Sequence, residues 1–216
     1  LPVPSKHHSR ILVIEDNDTM RLLITTLLEE SGYEVVEAVD GMSALMAAEN
    51  DPPALAVLDL HLPDVSGLEI ASLFHQRIPF LVLTVDADDD FVQKCIDLGA
   101  LGYLVKPPEM DGFLRQVRIA LERGQETLNL RRALHETQVI SKAVGVLMAY
   151  HALSEETAYQ QLLSFAIAHK RRTAEVAKEL ISTFGRWMRL KATGEASTRA
   201  ARTCATFLDH FKAASR

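Results

Sequence analysis

Residues 55–67, with the sequence LAVLDLHLPDVSG, decide the fold of this 216-residue chain. An apolar run of strand length ends at the carboxylate of Asp59, and turn-forming residues follow it at once. In open parallel sheets, ligands bind in the crevice outside the carboxyl ends of the strands, so Asp59 is a candidate functional group. An aspartate in this position can equally form the turn or cap the next helix. The residues at the ends of the other strands are needed to distinguish these structural roles from a functional one.

Strand-like and helix-like segments alternate five times in the first half of the chain. Apolar, partly β-branched runs predict five strands, at residues 11–14, 33–37, 55–59, 79–84 and 101–105. The segments between and after them carry apolar residues at helical spacing. Because the strands are continuously apolar and are joined by helical crossovers, we predict an α/β domain with a five-stranded parallel sheet over residues 10–123.

Polar side chains stand at the ends of four of the predicted strands: Glu15 and Asp16, Asp59, Thr84, and Lys106. If the strands take the order 2-1-3-4-5, the first and third flank the switch point of the sheet, and these groups meet in one crevice. Three close carboxylates raise one another's pKa unless a cation lies among them, and oxygen ligands suit Mg²⁺. A carboxylate held there can attack a phosphoryl group, with the lysine offsetting charge and the threonine hydroxyl hydrogen-bonding the new phosphate.

The two halves of the chain carry opposite charge, although the net charge of the whole is only −6. Residues 1–124 hold 9 Lys and Arg against 21 Asp and Glu, whereas residues 125–216 hold 14 against 8. An acidic half joined to a basic half is typical of a control domain attached to a module that binds a polyanion. A charged surface that is simply exposed to solvent would have the same composition.

Nothing in the sequence directs the chain to a membrane or to an oxidising compartment. No apolar run approaches the ~20 residues of a transmembrane helix, and residues 1–9, predicted to be a flexible tail, lack the apolar core of an export signal. Cys95 and Cys204 are isolated, without the spacing of a disulfide framework or a zinc site. We therefore expect a cytoplasmic protein without membrane contact.

In the order of these strand-end residues, residues 10–123 resemble the receiver domain of bacterial two-component response regulators. The resemblance implies a flavodoxin-like (βα)5 fold with the strand order 2-1-3-4-5. It also implies that Asp59 is the phosphoacceptor, with a sensor histidine kinase as phosphodonor. The Mg²⁺ site implied by the resemblance consists of Glu15, Asp16, Asp59 and the backbone carbonyl of His61.

The same resemblance assigns roles at the ends of the fourth and fifth strands. Lys106 and Thr84 would assist phosphoryl transfer to Asp59, and Thr84 with Tyr103 would form the switch pair that reorients on phosphorylation. No enzyme activity is implied beyond phosphorylation and dephosphorylation of the protein itself. Val85, after Thr84, is bulkier than the small residue usual in the family, which predicts slower phosphorylation.

The second half predicts an all-α bundle entered through a long helix. Leu130 and Leu134 continue an apolar helical pattern beyond Gly124 without a proline. This pattern predicts one helix, continuous or hinged at the glycine, that extends to about residue 149. Two arginines interrupt a strict heptad, so a dimeric coiled coil and packing within one chain both remain open.

Two further helices follow, with Ser154 predicted as the N-cap of one that ends near His169 and Thr173 as the N-cap of the next. Between them, residues 169–172, HKRR, form a basic corner. The apolar pattern of the three helices, including the segment AVGVLM at residues 143–148, resembles the ANTAR domain. That family is a three-helix RNA-binding antitermination module often fused to receivers.

The resemblance implies a domain over residues 124–184 that binds RNA hairpins. The residues expected to contact RNA are Lys142, Tyr159, His169, Lys170, Arg171 and Arg172. The family has a lysine where this chain has Val144, so Lys142 or the basic corner would have to supply that charge. Residues 185–216 lie outside the pattern as an extra basic helical segment. We expect it to pack on a bundle of three or more helices, with a separate RNA-binding arm as the alternative.

Two functions are compatible with the sequence. The first is a homodimeric response regulator that acts as a transcription antiterminator, with phosphorylation at Asp59 controlling the binding of RNA hairpins. The alternative is a response regulator whose helical module binds DNA or a protein partner. An independent catalytic output domain is not expected, because residues 125–216 lack a convergent set of acids, thiols or metal ligands.

Overall fold

The computed structural model describes residues 9–85 and 89–213, so the predicted flexible tail, residues 1–9, lies outside the described residues except for Ser9. The chain forms two compact units that divide between Leu130 and Arg131. Among the residues so described, no helix combines the length and the apolar character needed to cross a membrane.

The first unit contains a five-stranded, wholly parallel sheet with the order β2-β1-β3-β4-β5. Its strands are β1 (Arg10–Ile14), β2 (Glu34–Ala38), β3 (Leu55–Asp59), β4 (Phe80–Thr84) and β5 (Tyr103–Val105). The predicted fold class and strand order are confirmed. Because β1 and β3 are neighbours, with Ile14 beside Leu58, their carboxyl ends open at the same point of the sheet edge.

Helices cover both faces of this sheet. They are α1 (Asp18–Glu30), α2 (Gly41–Asn50), α3 (Gly67–Phe74), α4 (Asp89–Asp97) and the beginning of α5 (Met110–His151). Leu12 and Ile14 point to the face covered by α2, α3 and α4, while Ile11 and Val13 point to the face covered by α1 and α5. Successive strand residues alternate between faces, and since both faces are buried here the strands are apolar throughout.

The long helix α5 passes through Gly124 without interruption, so the continuous form of the predicted helix is the correct one. Gly124 is buried, and a Cβ placed there would lie 2.6 Å from the Cβ and Cγ atoms of Pro79, which precedes β4. The glycine therefore permits a close approach between α5 and the start of β4. Its lower helix propensity, about 1 kcal/mol relative to alanine, is the cost of that approach.

The second unit packs four helices around one core. They are the C-terminal part of α5, α6 (Glu155–Ala168), α7 (Thr173–Ala192) and α8 (Arg199–Ala213). Ser154 caps α6, its hydroxyl accepting the Thr157 amide. The prediction that Thr173 caps α7 is wrong. The chain reverses at Lys170, where φ is 51°, and enters the helix one residue earlier, with Arg172 as an N-cap whose side chain makes no capping hydrogen bond.

The helix α8 is an integral part of this bundle. Leu208 and Phe211 are fully buried in the shared core, and the thiol-bearing Cys204 is 4% exposed. The segment expected to pack as an added helix, residues 185–216, is divided between the last two turns of α7 and all of α8. The other cysteine, Cys95, is buried in the first unit.

Candidate functional site

The carboxyl ends of β1 and β3 bring three carboxylates together. Strand β1 leads directly into Glu15 and Asp16, and Asp59 is the last residue of β3. One ligand oxygen from each of the three lies within 4.8 Å of the other two. Glu15 and Asp59 are buried, whereas Asp16 is exposed. The three acids at the strand ends therefore lie in one crevice, as predicted, and the crevice is open to solvent at Asp16.

Lys106 reaches this crevice from the end of β5. Its Nζ atom lies 2.6 Å from Glu15 Oε2 and 2.7 Å from Asp59 Oδ2. All three side chains are at most 9% exposed, so these charges interact in a largely desolvated setting, where Coulomb attraction exceeds that of surface pairs. The Lys106 amide donates to the Thr84 carbonyl at 2.9 Å, and the Lys106–Pro107 peptide bond is cis.

The protonation of Glu15 reflects these neighbours. Burial raises the pKa of Glu15 above its ordinary value; the hydrogen bond and the charge of Lys106 oppose the increase, and the Asp59 charge adds to it. A raised carboxyl pKa means that the ionised form is disfavoured. A further cation among the three carboxylates would favour ionisation of Glu15, so the electrostatics of the crevice suit cation binding.

The residues present fit the Mg²⁺ predicted here. Glu15, Asp16 and Asp59 offer carboxylate oxygens, the ligand type that Mg²⁺ prefers, and the exposed Asp16 leaves access for the coordinated water that this ion retains. Lys106 brings one positive charge to three carboxylates, which leaves the cluster negative. Mg²⁺ bound here would supply positive charge opposite the oxygens of a transferred phosphoryl group.

The loop after Asp59 orients its carboxylate. The His61 amide donates to Asp59 Oδ1 at 3.1 Å, while Lys106 donates to Oδ2. The imidazole of His61 is exposed, with Nδ1 4.0 Å from Asp59 Oδ1. The structure therefore places His61 against Asp59 through its amide; the role of its carbonyl as a metal ligand stays a prediction.

Asp64 in this loop and Gly67 at the start of α3, which the sequence indicates only as turn formers, constrain the path of the chain after Asp59. A Cβ on Gly67 would lie 2.4 Å from Leu60 Cα and 2.5 Å from the Asp59 carbonyl oxygen. The Asp64 carboxylate accepts the first two amides of α2 at 2.8 and 2.9 Å, and these bonds lower the pKa of Asp64. The sequence does contain a glycine after Ser66 that could have indicated the close approach. Glycine occurs at helix starts for several other reasons, so this residue alone does not predict the contact.

Thr84 and Tyr103, the predicted switch pair, lie on adjacent strands of the sheet. Thr84 is fully buried at the end of β4, and Tyr103 is half-buried at the start of β5, packed against the core under α3 and α4. Their strands are adjacent, with Thr84 beside Val105. Val85 is 68% exposed, so most of its side chain faces solvent.

In the second unit, the basic corner of residues 169–172 lies at the junction of α6 and α7. Arg171 pairs with Glu179 and Arg172 pairs with Glu136, at 2.6 and 2.5 Å. Two of the three permanent cations in the corner are thus neutralised by glutamates of the same chain. A phosphate that binds either guanidinium group must compete with these glutamates for its charge and donors.

The other residues predicted to contact RNA are more available. Lys142 on α5 is exposed, and Tyr159 on α6 is 42% exposed beside a surface cavity of about 560 Å³ that also has two glutamates of α6 in its lining. His169 stacks on the Phe165 ring with 4.0 Å between ring centroids. Val144, where the family has a lysine, is 5% exposed and contributes to the bundle core.

Comparison with known families identifies the class of protein. The family model for the response regulator receiver domain matches residues 11–118, and the model for the ANTAR domain matches residues 128–181. The chain therefore belongs to the response regulators and carries an ANTAR domain after its receiver domain. It is a regulator with the domain combination of RNA-binding antitermination response regulators.

Individual relatives agree with this assignment. The transcriptional regulatory protein PdtaR of Mycobacterium tuberculosis is 31% identical over 186 residues, which cover 82% of this chain and 91% of the relative. The alkaline phosphatase synthesis transcriptional regulatory protein PhoP of Bacillus subtilis is 36% identical over 121 residues, covering 55% and 50% of the two chains. A CheY-like receiver domain protein from Methanospirillum hungatei matches 56% of this chain and 98% of its own, with 27% identity and a TM-score of 0.53. The likeness to PdtaR thus extends beyond the receiver domain.

Proposed function

We propose that phosphoryl transfer to Asp59 controls the binding of RNA hairpins by the ANTAR domain, so that the protein is a phosphorylation-dependent transcription antiterminator. The observation that carries this proposal is the crevice in which Asp59 lies beside two further acids and Lys106, in the same chain as an RNA-binding domain. The proposed phosphodonor is a sensor histidine kinase. Because kinase and nascent RNA meet in the cytoplasm, that is the proposed place of action.

In this proposal Asp59 is the nucleophile. Its two carboxylate oxygens are already oriented by Lys106 and by the His61 amide. Lys106 is placed to offset negative charge on the incoming phosphoryl oxygens, and Mg²⁺ held by Glu15, Asp16, Asp59 and the His61 carbonyl would supply further positive charge. The protein contributes orientation and electrostatic stabilisation, which carry most of the catalysis in phosphoryl transfer.

Thr84 and Tyr103 are the proposed route by which the new phosphate is sensed. The Thr84 hydroxyl, buried at the end of β4, would reorient to hydrogen-bond the phosphoryl group. In this proposal the half-buried ring of Tyr103, on the adjacent β5, then reorients as well. A local hydrogen bond would in this way change the surface of the first unit.

For the ANTAR domain we propose RNA contacts through Lys142, Tyr159 and the basic corner of residues 169–172. The exposed ring of Tyr159 can stack on an unpaired loop base, and the exposed ammonium groups of Lys142 and Lys170 can bind phosphates. Arg171 and Arg172 would join them by exchanging their glutamate partners for phosphates.

We expect the phosphorylated protein to bind RNA stem-loops at least about fivefold more tightly than the unphosphorylated protein does. Gel shifts with a pool of stem-loops that share one stem and carry a randomised hexanucleotide loop measure this, with duplex DNA of the stem sequence as control. The plot of log affinity against log salt concentration should have a slope of roughly −2 to −4, as for three to five phosphate contacts. Tighter binding to the DNA at matched salt would favour the DNA-binding alternative, and binding to neither would favour a protein partner.

We also propose a homodimer that forms through α5. Leu130 and Leu134, one helical turn apart, are 63% and 56% exposed, and apolar residues repeated on one helix face are typical of a coiled-coil seam. Light scattering on the phosphorylated protein should therefore give twice the 24.0 kDa mass of one chain. Replacing both leucines by lysine should restore the single-chain mass, and a dimer that persists in this variant contradicts an α5 seam.

A further inference from the structure

Nearly all of the excess positive charge in the second half lies outside the matched ANTAR domain. Residues 125–184 hold 7 Lys and Arg against 6 Asp and Glu, whereas residues 185–216 hold 7 against 2. The family match ends at residue 181. The charge that a polyanion-binding surface needs therefore belongs mostly to the appended segment.

The helix α8 presents one face to the core and the opposite face to solvent. Its core face consists of Ala201, Cys204, Leu208 and Phe211, each at most 4% exposed. Its solvent face carries the exposed residues Arg199, Arg202, Thr203, Thr206 and His210. Steps of three and four residues place this second set along one side of the helix. These five residues and Phe207 together form the α8 surface.

The α8 surface lines an open surface cavity of about 600 Å³. Phe207 is held by edge-on contacts with the rings of Phe165 and Phe211, so the core fixes its position beside the cavity. The Thr203 and Thr206 hydroxyls donate to helix carbonyls one turn back, and each oxygen can still accept a hydrogen bond. The cavity is thus bordered by cations, hydroxyl oxygens and one aromatic ring.

The two guanidinium groups of this surface are unpaired. Within the described part of the chain, neither Arg199 nor Arg202 forms an ion pair. The one acid of α8, Asp209, accepts a hydrogen bond from Tyr150. The contrast with Arg171 and Arg172 is direct, since those side chains are bound to glutamates. Unpaired guanidinium groups keep their full charge and all their donors for a phosphate.

We propose that the α8 surface binds the phosphodiester backbone of the RNA that the ANTAR domain recognises. This inference rests on the proposed RNA-binding function and adds a second contact surface to it. Arg199 and Arg202 bind successive phosphates, and Phe207 with His210 contacts the adjoining sugar or base. Phosphate contacts position a nucleic acid without reading its sequence, so the surface contributes affinity while the ANTAR domain selects the loop.

The composition of the surface favours RNA over a protein partner. Protein interfaces have an apolar centre that is depleted of charge, whereas the single apolar side chain of the α8 surface is the half-buried Phe207. Nucleic-acid interfaces are polar and positively charged, and this surface carries two arginines and no acid among its six residues.

The test uses the phosphorylated full-length protein with Arg199→Gln and Arg202→Gln, and the stem-loop pool as probe. We expect Kd to increase roughly tenfold at about 0.1 M salt, and the salt slope to become shallower by about 1.5 to 2, the change expected for two lost phosphate contacts. The selected loop sequences should not change. The matched control, Arg77→Gln with Arg123→Gln, removes the same charge from exposed positions of the first unit and should leave Kd within about twofold.

A second variant, Thr206→Glu, places a carboxylate in the middle of the α8 surface and should weaken binding at least as much. Circular dichroism should show unchanged helicity, because every substituted side chain is exposed. Unchanged Kd and salt slope in both variants would overturn this inference alone, and so would variants that lose only the binding of poly-glutamate, which would indicate an acidic protein partner. Failure of the unmutated protein to bind any RNA would reject the proposed function, and this inference with it.

Discussion

Replacing Asp59 by asparagine is expected to reduce incorporation of a phosphoryl group by about a thousandfold or more. The amide has nearly the size of the carboxylate but lacks its charge and its nucleophilic oxygen, so no aspartyl phosphate can form. The full-length protein is incubated with acetyl phosphate and Mg²⁺, and intact-mass spectrometry counts the phosphoryl groups. The variant should also bind RNA stem-loops with the affinity of the unphosphorylated protein.

The matched control is Asp97→Asn. Asp97 is exposed on α4 and accepts a hydrogen bond from Gln93, a role that an asparagine oxygen can also fill. Its phosphorylation should equal that of the unmutated protein. An equal mass increase in the Asp59 variant would show that another residue accepts the phosphoryl group, and the assignment of the crevice would fail.

The substitution Gly67→Ala is expected to have the second large effect. The added Cβ would lie 2.4 Å from Leu60 Cα and 2.5 Å from the Asp59 carbonyl oxygen, both backbone atoms that no rotamer change can move. Either the end of β3 or the start of α3 must shift. We expect a loss of about 2–4 kcal/mol in the free energy of unfolding. Because the shift displaces Asp59, phosphorylation should also slow by about 10- to 100-fold.

Gly145→Ala is the matched control for this substitution. Gly145 lies within α5, and a Cβ added there meets no atom within 4 Å, so the change should stabilise the protein by about 0.5–1 kcal/mol through helix propensity. Urea unfolding followed by circular dichroism measures both variants, and acetyl phosphate measures their phosphorylation. Unchanged stability and phosphorylation in the Gly67 variant would mean that the backbone at Leu60 yields without cost, contrary to expectation.

Patterns that recur along the chain made the fold predictable. Continuously apolar strands such as residues 55–59 and the hydroxyl of Ser154 before an amphipathic segment are local signals with local causes. The N-cap of α7 was predicted wrongly because the reversal at Lys170, and not the side chain of Thr173, determines where the helix begins. The sequence leaves open whether the helix is hinged or continuous at Gly124. The residue that explains this glycine, Pro79, is its neighbour in space but distant in sequence.

The candidate sites also differ in how far the sequence predicts them. The proximity of the residues at the strand ends could be predicted, because the topology places the carboxyl ends of all strands at one edge of the sheet. Charge on helices is harder to interpret, because a basic corner looks equally available whether or not its arginines meet Glu136 and Glu179. The unpaired Arg199 and Arg202 could be distinguished from paired ones only once the helices had been packed.

The two buried cysteines can report how often each unit opens locally. Each unit encloses one thiol, Cys95 on α4 and Cys204 on α8. Burial raises the pKa of Cys95, so the reactive thiolate is scarce there as well as hidden. A thiol reagent can modify each cysteine only during a local opening, and the two labelling rates therefore report separately how often α4 loosens from the sheet and how often α8 leaves the bundle. An RNA held on α8 would lengthen the lifetime of the Cys204 thiol.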